Sequence, residues 1–249
     1  MEVHHHSHIP KQLKEYITEF IMLFAAVTLG FFAENLREHY IEKEREEKFV
    51  EIVHEDLIND IKALKKIHDR YQNRIKCEDT LINLLSNPNF KQTNDLYYLA
   101  RINSIREFFH HSKNGFQQLK NAGGLRLIEN MEVIKKIQAY ENSIEEMDEL
   151  QQLTEGLLMN YREKMAVIFR GSVFKNMVVN PGAKVSEDRF ARPKDNPTLM
   201  VESYDAINEL LNKTLYVHNN NLGIANRSLE LMHYAEELDK LLTETYHIK

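Results

Sequence analysis

Helix-breaking residues are scarce in this chain, and their scarcity restricts its fold more than any other feature of the sequence. The 249 residues include only 8 Gly and 5 Pro, and no proline occurs between Pro10 and Pro88. Because Gly and Pro mark most turns and helix ends, this pattern predicts long, uninterrupted helices. Strand-like alternation and fixed repeats are not visible in the sequence. We therefore expect an all-α protein.

Composition excludes several classes of protein. The chain has a single cysteine, Cys77, so it cannot form an internal disulfide. Its formal net charge is −6, and no long basic tract occurs, so we expect no nucleic-acid partner. The sequence contains no nucleophile elbow, phosphate-binding loop or dinucleotide fingerprint. We therefore expect no catalytic residue, no cofactor and no enzymatic activity.

The most apolar stretch runs from Phe20 to Ala33. Counted from Tyr16 to Leu36, it reaches the roughly 20 residues that a membrane-spanning helix requires. Glu19, Glu34 and Asn35 lie near its ends, where polar side chains can reach the headgroups. We therefore predict a membrane-spanning segment at residues 16–36, with the lipid bilayer as a partner. A core or oligomer-interface helix and a cleaved signal peptide are the alternatives, and flanking charges leave the orientation open.

Two features of this segment bear on assembly. Ala26, Gly30 and Ala33 recur at helical spacing and offer a face for close helix packing, so we expect a homo-oligomer. Glu19 is an ionisable group at the membrane edge, which we interpret as an interfacial or packing residue. If Glu19 and the small residues instead surrounded an axis, the chain would be a channel or transport-associated subunit.

Residues 37–249 are predicted to form a helical stalk and an elongated antiparallel bundle. An apolar stripe from Val50 to Ile75 continues the spanning segment, which predicts one helix from about Lys11 to Leu85, on the order of 110 Å long. Further helices are predicted from Thr93 or Asn94 towards His110, and from about Asn130 to Met177. Residues 180–197 contain three of the prolines and predict a loop.

The last helix is predicted to begin at a Thr198 cap. Its apolar stripe has a spacing near 3.5 residues, the heptad value, and consists of Ile207, Leu211, Leu215, His218, Leu222, Ala225, Leu229, Met232, Leu238 and Leu242.

Two local patterns could be mistaken for binding sites. Gly123 and Gly124 follow a short amphipathic stretch, and we interpret them as a structural turn rather than a phosphate loop. Residues 1–15 form a His-rich tail with His4, His5, His6 and His8. A mobile tail lacks the fixed geometry of a metal site, so we expect no metal there.

Several phrases resemble a Bacteroidota family of membrane proteins of unknown function with one N-terminal spanning segment. The similar phrases are Met1 to His8, Glu19 to Glu38, Val53 to Asp60, and Phe116 to Ile128. The resemblance implies a native His tract and a single-pass anchor in the bacterial inner membrane, and it supplies no reaction. We therefore expect a membrane-anchored scaffold, assembly or sensor protein of the cell envelope, with an envelope protein as a further candidate partner.

Overall fold

The structure of the chain, a computed structural model, describes residues 13–121, 123–182 and 189–248. These residues form six α-helices: α1 (Leu13–Ser86), α2 (Asn94–Asn103), α3 (Asn114–Asn121), α4 (Met131–Ile168), α5 (Gly171–Asn176) and α6 (Tyr204–Tyr246). A short 3-10 turn spans Gly124–Arg126. The only β-pairing among the described residues is an isolated bridge between Val178 and Phe190. The all-α prediction is confirmed.

Helices α1, α4 and α6 form the body of the molecule, and α6 packs against both of the others. Helix α6 runs antiparallel to α1, because its end at Tyr246 contacts Glu46 and its earlier residue His218 contacts Glu78. Helix α6 is also antiparallel to α4, as shown by three cross-helix ion pairs: Lys136 with Glu237, Arg227 with Glu146, and Lys164 with Glu209. Helices α2 and α3 pack on α1.

The three long helices bury residues at alternating steps of three and four. In α1 this heptad pattern runs without a break from Glu46 to Leu85, and in α6 from Ile207 to Leu242. An inner face with this spacing stays directed at neighbouring helices along its whole length. The regular pattern explains how few turns suffice to form a bundle.

The apolar core consists of two clusters that follow each other along the bundle. The first joins residues 50–75 of α1 to residues 133–147 of α4 and 224–242 of α6. The second joins Leu81 and Leu85 to α2, to residues 158–168 of α4 and to residues 206–217 of α6. Buried polar residues lie between the two clusters.

Three predicted helix ends were wrong. The second helix ends at Asn103 rather than near His110, and residues 104–113 contain no helix. The third helix ends at Ile168, because Phe169 and Arg170 adopt extended backbone before the short helix α5. The last helix is capped by Ser203, whose hydroxyl accepts from the Ala206 amide, and not by Thr198.

The predicted stripe of the last helix was also partly wrong. Leu215, Leu222 and Leu229 are 37%, 38% and 49% exposed, whereas the polar residues Thr214 and Asn221 are buried beside them. The prediction from apolar residues alone therefore included positions of α6 that the bundle does not bury. In α4, Met131 and Leu153 are likewise apolar and exposed.

Candidate functional site: the exposed apolar helix and its junction with the bundle

The first part of α1 is apolar and uncovered. Every residue from 13 to 40 is exposed, including Phe20, Leu23, Phe24 and Phe32, which are 62–69% exposed. By length and composition this part of α1 could cross a membrane, a property that buried core helices and signal sequences share. The bundle therefore leaves a long apolar surface without cover.

The six residues predicted for this segment all lie on that exposed surface. Ala26, Gly30 and Ala33 follow the helix at steps of four and three. A side chain added at Gly30 would meet nothing within 4 Å. Glu19 lies near one end, while Asn35 and Glu34 lie at the other. The Glu34 Oε2 atom accepts a 2.9 Å hydrogen bond from Arg37 Nε.

Glu46 joins the exposed helix to the bundle. Its side chain is only 9% exposed, and its Oε1 atom accepts from the Tyr246 hydroxyl at 2.5 Å and from the Glu129 amide at 3.4 Å. One carboxylate therefore ties α1 to the end of α6 and to the segment before α4. Burial, together with the hydrogen bond to Glu46, raises the pKa of Tyr246, which keeps this hydroxyl a donor.

An open cleft of about 660 Å³ lies at the same junction. Its walls come from the last exposed turns of α1 and from the turn before α4. The wall carries both signs of charge, with Lys43 and Arg126 beside Glu42, Glu46 and Glu129. Such a surface can form hydrogen bonds with zwitterionic or mixed-charge groups.

Two buried aspartates of α1 hold the connecting segment in place. Asp60 is 1% exposed, and it accepts from the Ser112 amide and the Tyr140 hydroxyl, each at 2.7 Å. Asp56 accepts from the Gly115 amide in the first turn of α3 at 2.6 Å, so its negative charge lies at a helix N-terminus. Burial raises the pKa of Asp60, although these hydrogen bonds oppose the shift.

Gly115 allows α3 to lie directly on α1. A Cβ at this position would come within 2.9–3.0 Å of the backbone of Ile52 and Val53. Only a glycine permits this close approach, and the approach brings the Gly115 amide to Asp56.

Glu78 is the centre of the polar layer that separates the two apolar clusters. It is fully buried, accepts from Asn221 Nδ2 at 2.5 Å, and lies 3.2 Å from His218 Nδ1. The hydrogen bond to Glu78 raises the pKa of His218; burial opposes the shift, and the charges of Glu78 and Asp79 add to it. The layer therefore pairs an acidic with a basic side chain inside the bundle.

The same layer continues across to α4 through neutral groups. Asn220 Nδ2 donates to Thr154 Oγ1 at 2.7 Å. Gln151 accepts from the Phe109 amide at 2.5 Å and donates to the Phe109 carbonyl at 3.2 Å. These contacts satisfy backbone and side-chain groups of the bundle, and their arrangement is that of a structural network.

The double glycine forms a turn at the end of the bundle from which the exposed part of α1 extends. Gly123 has a φ of 67°, and Gly124 begins the 3-10 turn. A Cβ on Gly124 would lie 3.0 Å from the Leu119 carbonyl oxygen and 3.1 Å from the Phe49 ring. Glycine is therefore favoured at position 123 by the positive φ and at position 124 by the close approach of Leu119 and Phe49.

The described residues contain no group of three or more His, Cys, Asp and Glu side chains that could hold a metal ion. The His-rich cluster at His4, His5, His6 and His8 lies outside the described residues.

Sequence reasoning missed Asp56, Asp60, Glu78 and Gly115. A signal for two of them was present, because the α1 heptad read strictly places Asp60 and Glu78 at inward positions that apolar residues usually occupy. Asp56 lies beside the inward heptad positions of α1, and Gly115 belongs to a separate helix, α3. Their contact therefore depends on the tertiary fold.

The chain matches no protein-family model, no curated protein and no solved structure.

Proposed function

We propose that this protein is a single-pass membrane protein of the bacterial envelope whose helical bundle serves assembly, scaffolding or sensing, without enzymatic activity of its own. The observation that carries the proposal is the division of α1 into two parts. Residues 13–40 are exposed throughout, whereas the part from Glu46 to Leu85 is packed into the bundle.

Leaving the first part in water is energetically unfavourable. Its large apolar side chains between 16 and 36 are exposed by half or more: Tyr16, Ile17, Phe20, Ile21, Met22, Leu23, Phe24, Val27, Leu29, Phe31, Phe32 and Leu36. Burying one such side chain contributes about 1.5–3 kcal/mol, so covering all of them is worth on the order of 20 kcal/mol. A bilayer can supply this cover on every side of the helix.

The dimensions of the segment fit a bilayer. A helix over residues 16–36 is about 30 Å long, which is the thickness of the hydrocarbon layer. Tyr16 and Tyr40 lie where interfacial aromatic residues are found, and the Glu34–Arg37 pair lies at the C-terminal edge. The mixed-charge cleft at Lys43 and Arg126 then lies close to the headgroup region.

The bundle supports a structural role. Its buried charged groups hold helices and loops together: Glu46 joins three segments, Asp60 fixes the segment before α3, and Glu78 joins α1 to α6. A rigid bundle on a spanning helix is suited to position a partner or transmit a change along the helix. The partners we propose are a second copy, through the face of Ala26, Gly30 and Ala33, and an envelope protein.

Carbonate extraction of membranes tests the anchor. The full-length protein should remain in the membrane pellet at alkaline pH and dissolve only in detergent. Leu23→Arg places a charge in the middle of the segment, which costs about 2.5–3.5 kcal/mol on insertion scales, and should increase the extracted fraction. The matched control is Leu153→Arg, which changes another exposed leucine, in α4, and should leave extraction unchanged.

Release of the unchanged protein by carbonate would contradict the anchor. Equal extraction of the Leu23 and Leu153 variants would show that the apolar segment is not in the hydrocarbon layer.

A further inference from the structure

The outward side of α6 is uncharged over its middle. No Asp, Glu, Lys or Arg occurs between Lys213 and Arg227, although these four residue types make up 28% of the chain. Five side chains in this stretch are exposed: Leu215, Tyr216, Asn219, Leu222 and Asn226. Exposed helix faces usually carry charges that favour solvation, so this surface is unusual for a solvated face.

The exposed side chains follow a second heptad pattern. Six residues, which we call the outer seam, recur at alternating steps of three and four: Asn212, Leu215, Asn219, Leu222, Asn226 and Leu229. The outer seam lies on the side of α6 away from the residues that pack on α1 and α4, and it is about 26 Å long. Its regular spacing is that of a coiled-coil contact.

We propose that the outer seam of α6 binds the outer seam of a second copy of this chain, with the two helices parallel. This inference rests on the proposed function, because two copies anchored in one membrane with the same topology extend their bundles in the same direction.

The absence of charge on the outer seam favours a second copy of this chain as its binding partner. In a parallel two-fold pair each residue meets its own counterpart, so a charged seam would place like charges together. The outer seam avoids this conflict, because Leu222 meets Leu222 and Asn219 meets Asn219. A carboxamide both donates and accepts hydrogen bonds, so asparagine can pair with itself and can also specify the register.

The outward side of α1 at the same level of the bundle has the opposite character. The contacts of His68 with Ala225 and of Glu78 with His218 show that this level corresponds to about residues 65–82 of α1. Its exposed residues there include Lys65, Lys66, Asp69, Arg70, Lys76 and Asp79. A parallel copy would meet like charges on that side, so α6 is the face suited to self-association.

Cysteine crosslinking in native membranes tests both the surface and the orientation. In a Cys77→Ser background, Asn212→Cys and Asn226→Cys are made separately and also co-expressed with different tags. A parallel contact should crosslink position 212 with itself and position 226 with itself, because each lies near its own counterpart. Lys66→Cys, on the charged side of α1, is the control and should form little crosslinked dimer.

The other outcomes overturn the inference. Crosslinking only between position 212 of one copy and position 226 of the other would show an antiparallel pair. Crosslinking no greater than that of the Lys66 control would show that this seam is not an interface.

A charge substitution provides a second test. Leu222→Glu places two carboxylates together in the proposed contact and should weaken association by roughly 100-fold, measured from the mass in detergent as a function of concentration. Leu222 is already partly exposed, so the bundle itself should fold, as checked by its helical circular dichroism. Val179→Glu, at an exposed residue outside the seam, is the matched control and should keep the association. Equal masses for the unchanged protein and the Leu222 variant would overturn the inference.

Carbonate extraction of the same samples separates the two proposals. If the protein remains in the membrane pellet but does not crosslink to itself, the membrane anchor is supported and the contact through the outer seam is contradicted. If carbonate releases the protein and positions 212 and 226 each crosslink with themselves, the membrane anchor is contradicted and the parallel contact through the outer seam is supported.

Discussion

At the scale of single residues, the pair of His218 and Glu78 should make stability depend on pH. The pKa of His218 is raised in the folded protein, mainly by its hydrogen bond to Glu78. The stabilisation is therefore fully present below about pH 6.5, the ordinary histidine pKa, and is lost as the pH rises through the raised value. We expect the melting temperature to fall between pH 6 and pH 9, and His218→Gln to reduce this fall.

The control for this prediction is His233→Gln, because His233 is 68% exposed and, among the residues that the structure describes, pairs only with Glu237. This variant should keep the pH dependence of the unchanged protein. Melting temperatures are measured by thermal denaturation at both pH values. If the melting temperature of the His218 variant falls as much as that of the unchanged protein, the pair of His218 and Glu78 does not contribute to the pH dependence of stability.

At the scale of elements, glycines in a turn and in a helix should respond oppositely to alanine. Gly123 has a positive φ, so Gly123→Ala should destabilise the protein by about 1–2 kcal/mol. Gly156 lies inside α4 with nothing within 4 Å of an added Cβ, so Gly156→Ala should stabilise it by about 0.5–1 kcal/mol. Chemical denaturation of both variants measures the change in the free energy of unfolding. A change of the same sign in both would contradict the different backbone environments of Gly123 and Gly156.

The elements also show how far the sequence pattern predicts packing. The absence of breakers predicted α1 to within two residues at each end, since it was expected from about Lys11 to Leu85 and observed over Leu13–Ser86. The end of α4 was not predicted, because Phe169 leaves the helix to pack with Tyr97 and Phe174, and these ring contacts depend on the tertiary fold.

At the scale of the whole molecule, hydrogen exchange in lipid vesicles should divide α1 into three zones. Amides of residues 16–36 should exchange slowly because the bilayer excludes water from their hydrogen bonds. Residues 37–45 precede the packed region and should exchange fastest, whereas residues 50–85 should be protected by the bundle. Mass spectrometry of exchanged peptides measures each zone, and equally fast exchange at 16–36 and 37–45 would contradict a spanning segment.

The fold class, the continuous first helix and the apolar segment all follow from the amino-acid sequence. These properties depend on local features, namely the spacing of breakers and the composition of about 20 successive residues. It did not identify Asp56, Asp60 and Glu78 as contacts, since their partners lie on α3, the preceding loop, α4 and α6.

Which face of α6 is buried depends on how α6 packs against α1 and α4, and the sequence pattern does not show it. Leucine recurs on the outer seam at Leu215, Leu222 and Leu229, while the inner face accepts Thr214, Asn221 and Ser228. The inner polar groups are tolerated because Glu78 and nearby backbone carbonyls satisfy them: Asn221 donates to Glu78, and Thr214 and Ser228 donate to the carbonyls of Leu210 and Ile224. Burial in this bundle follows heptad geometry and hydrogen-bond satisfaction, and hydrophobicity alone does not distinguish the two faces.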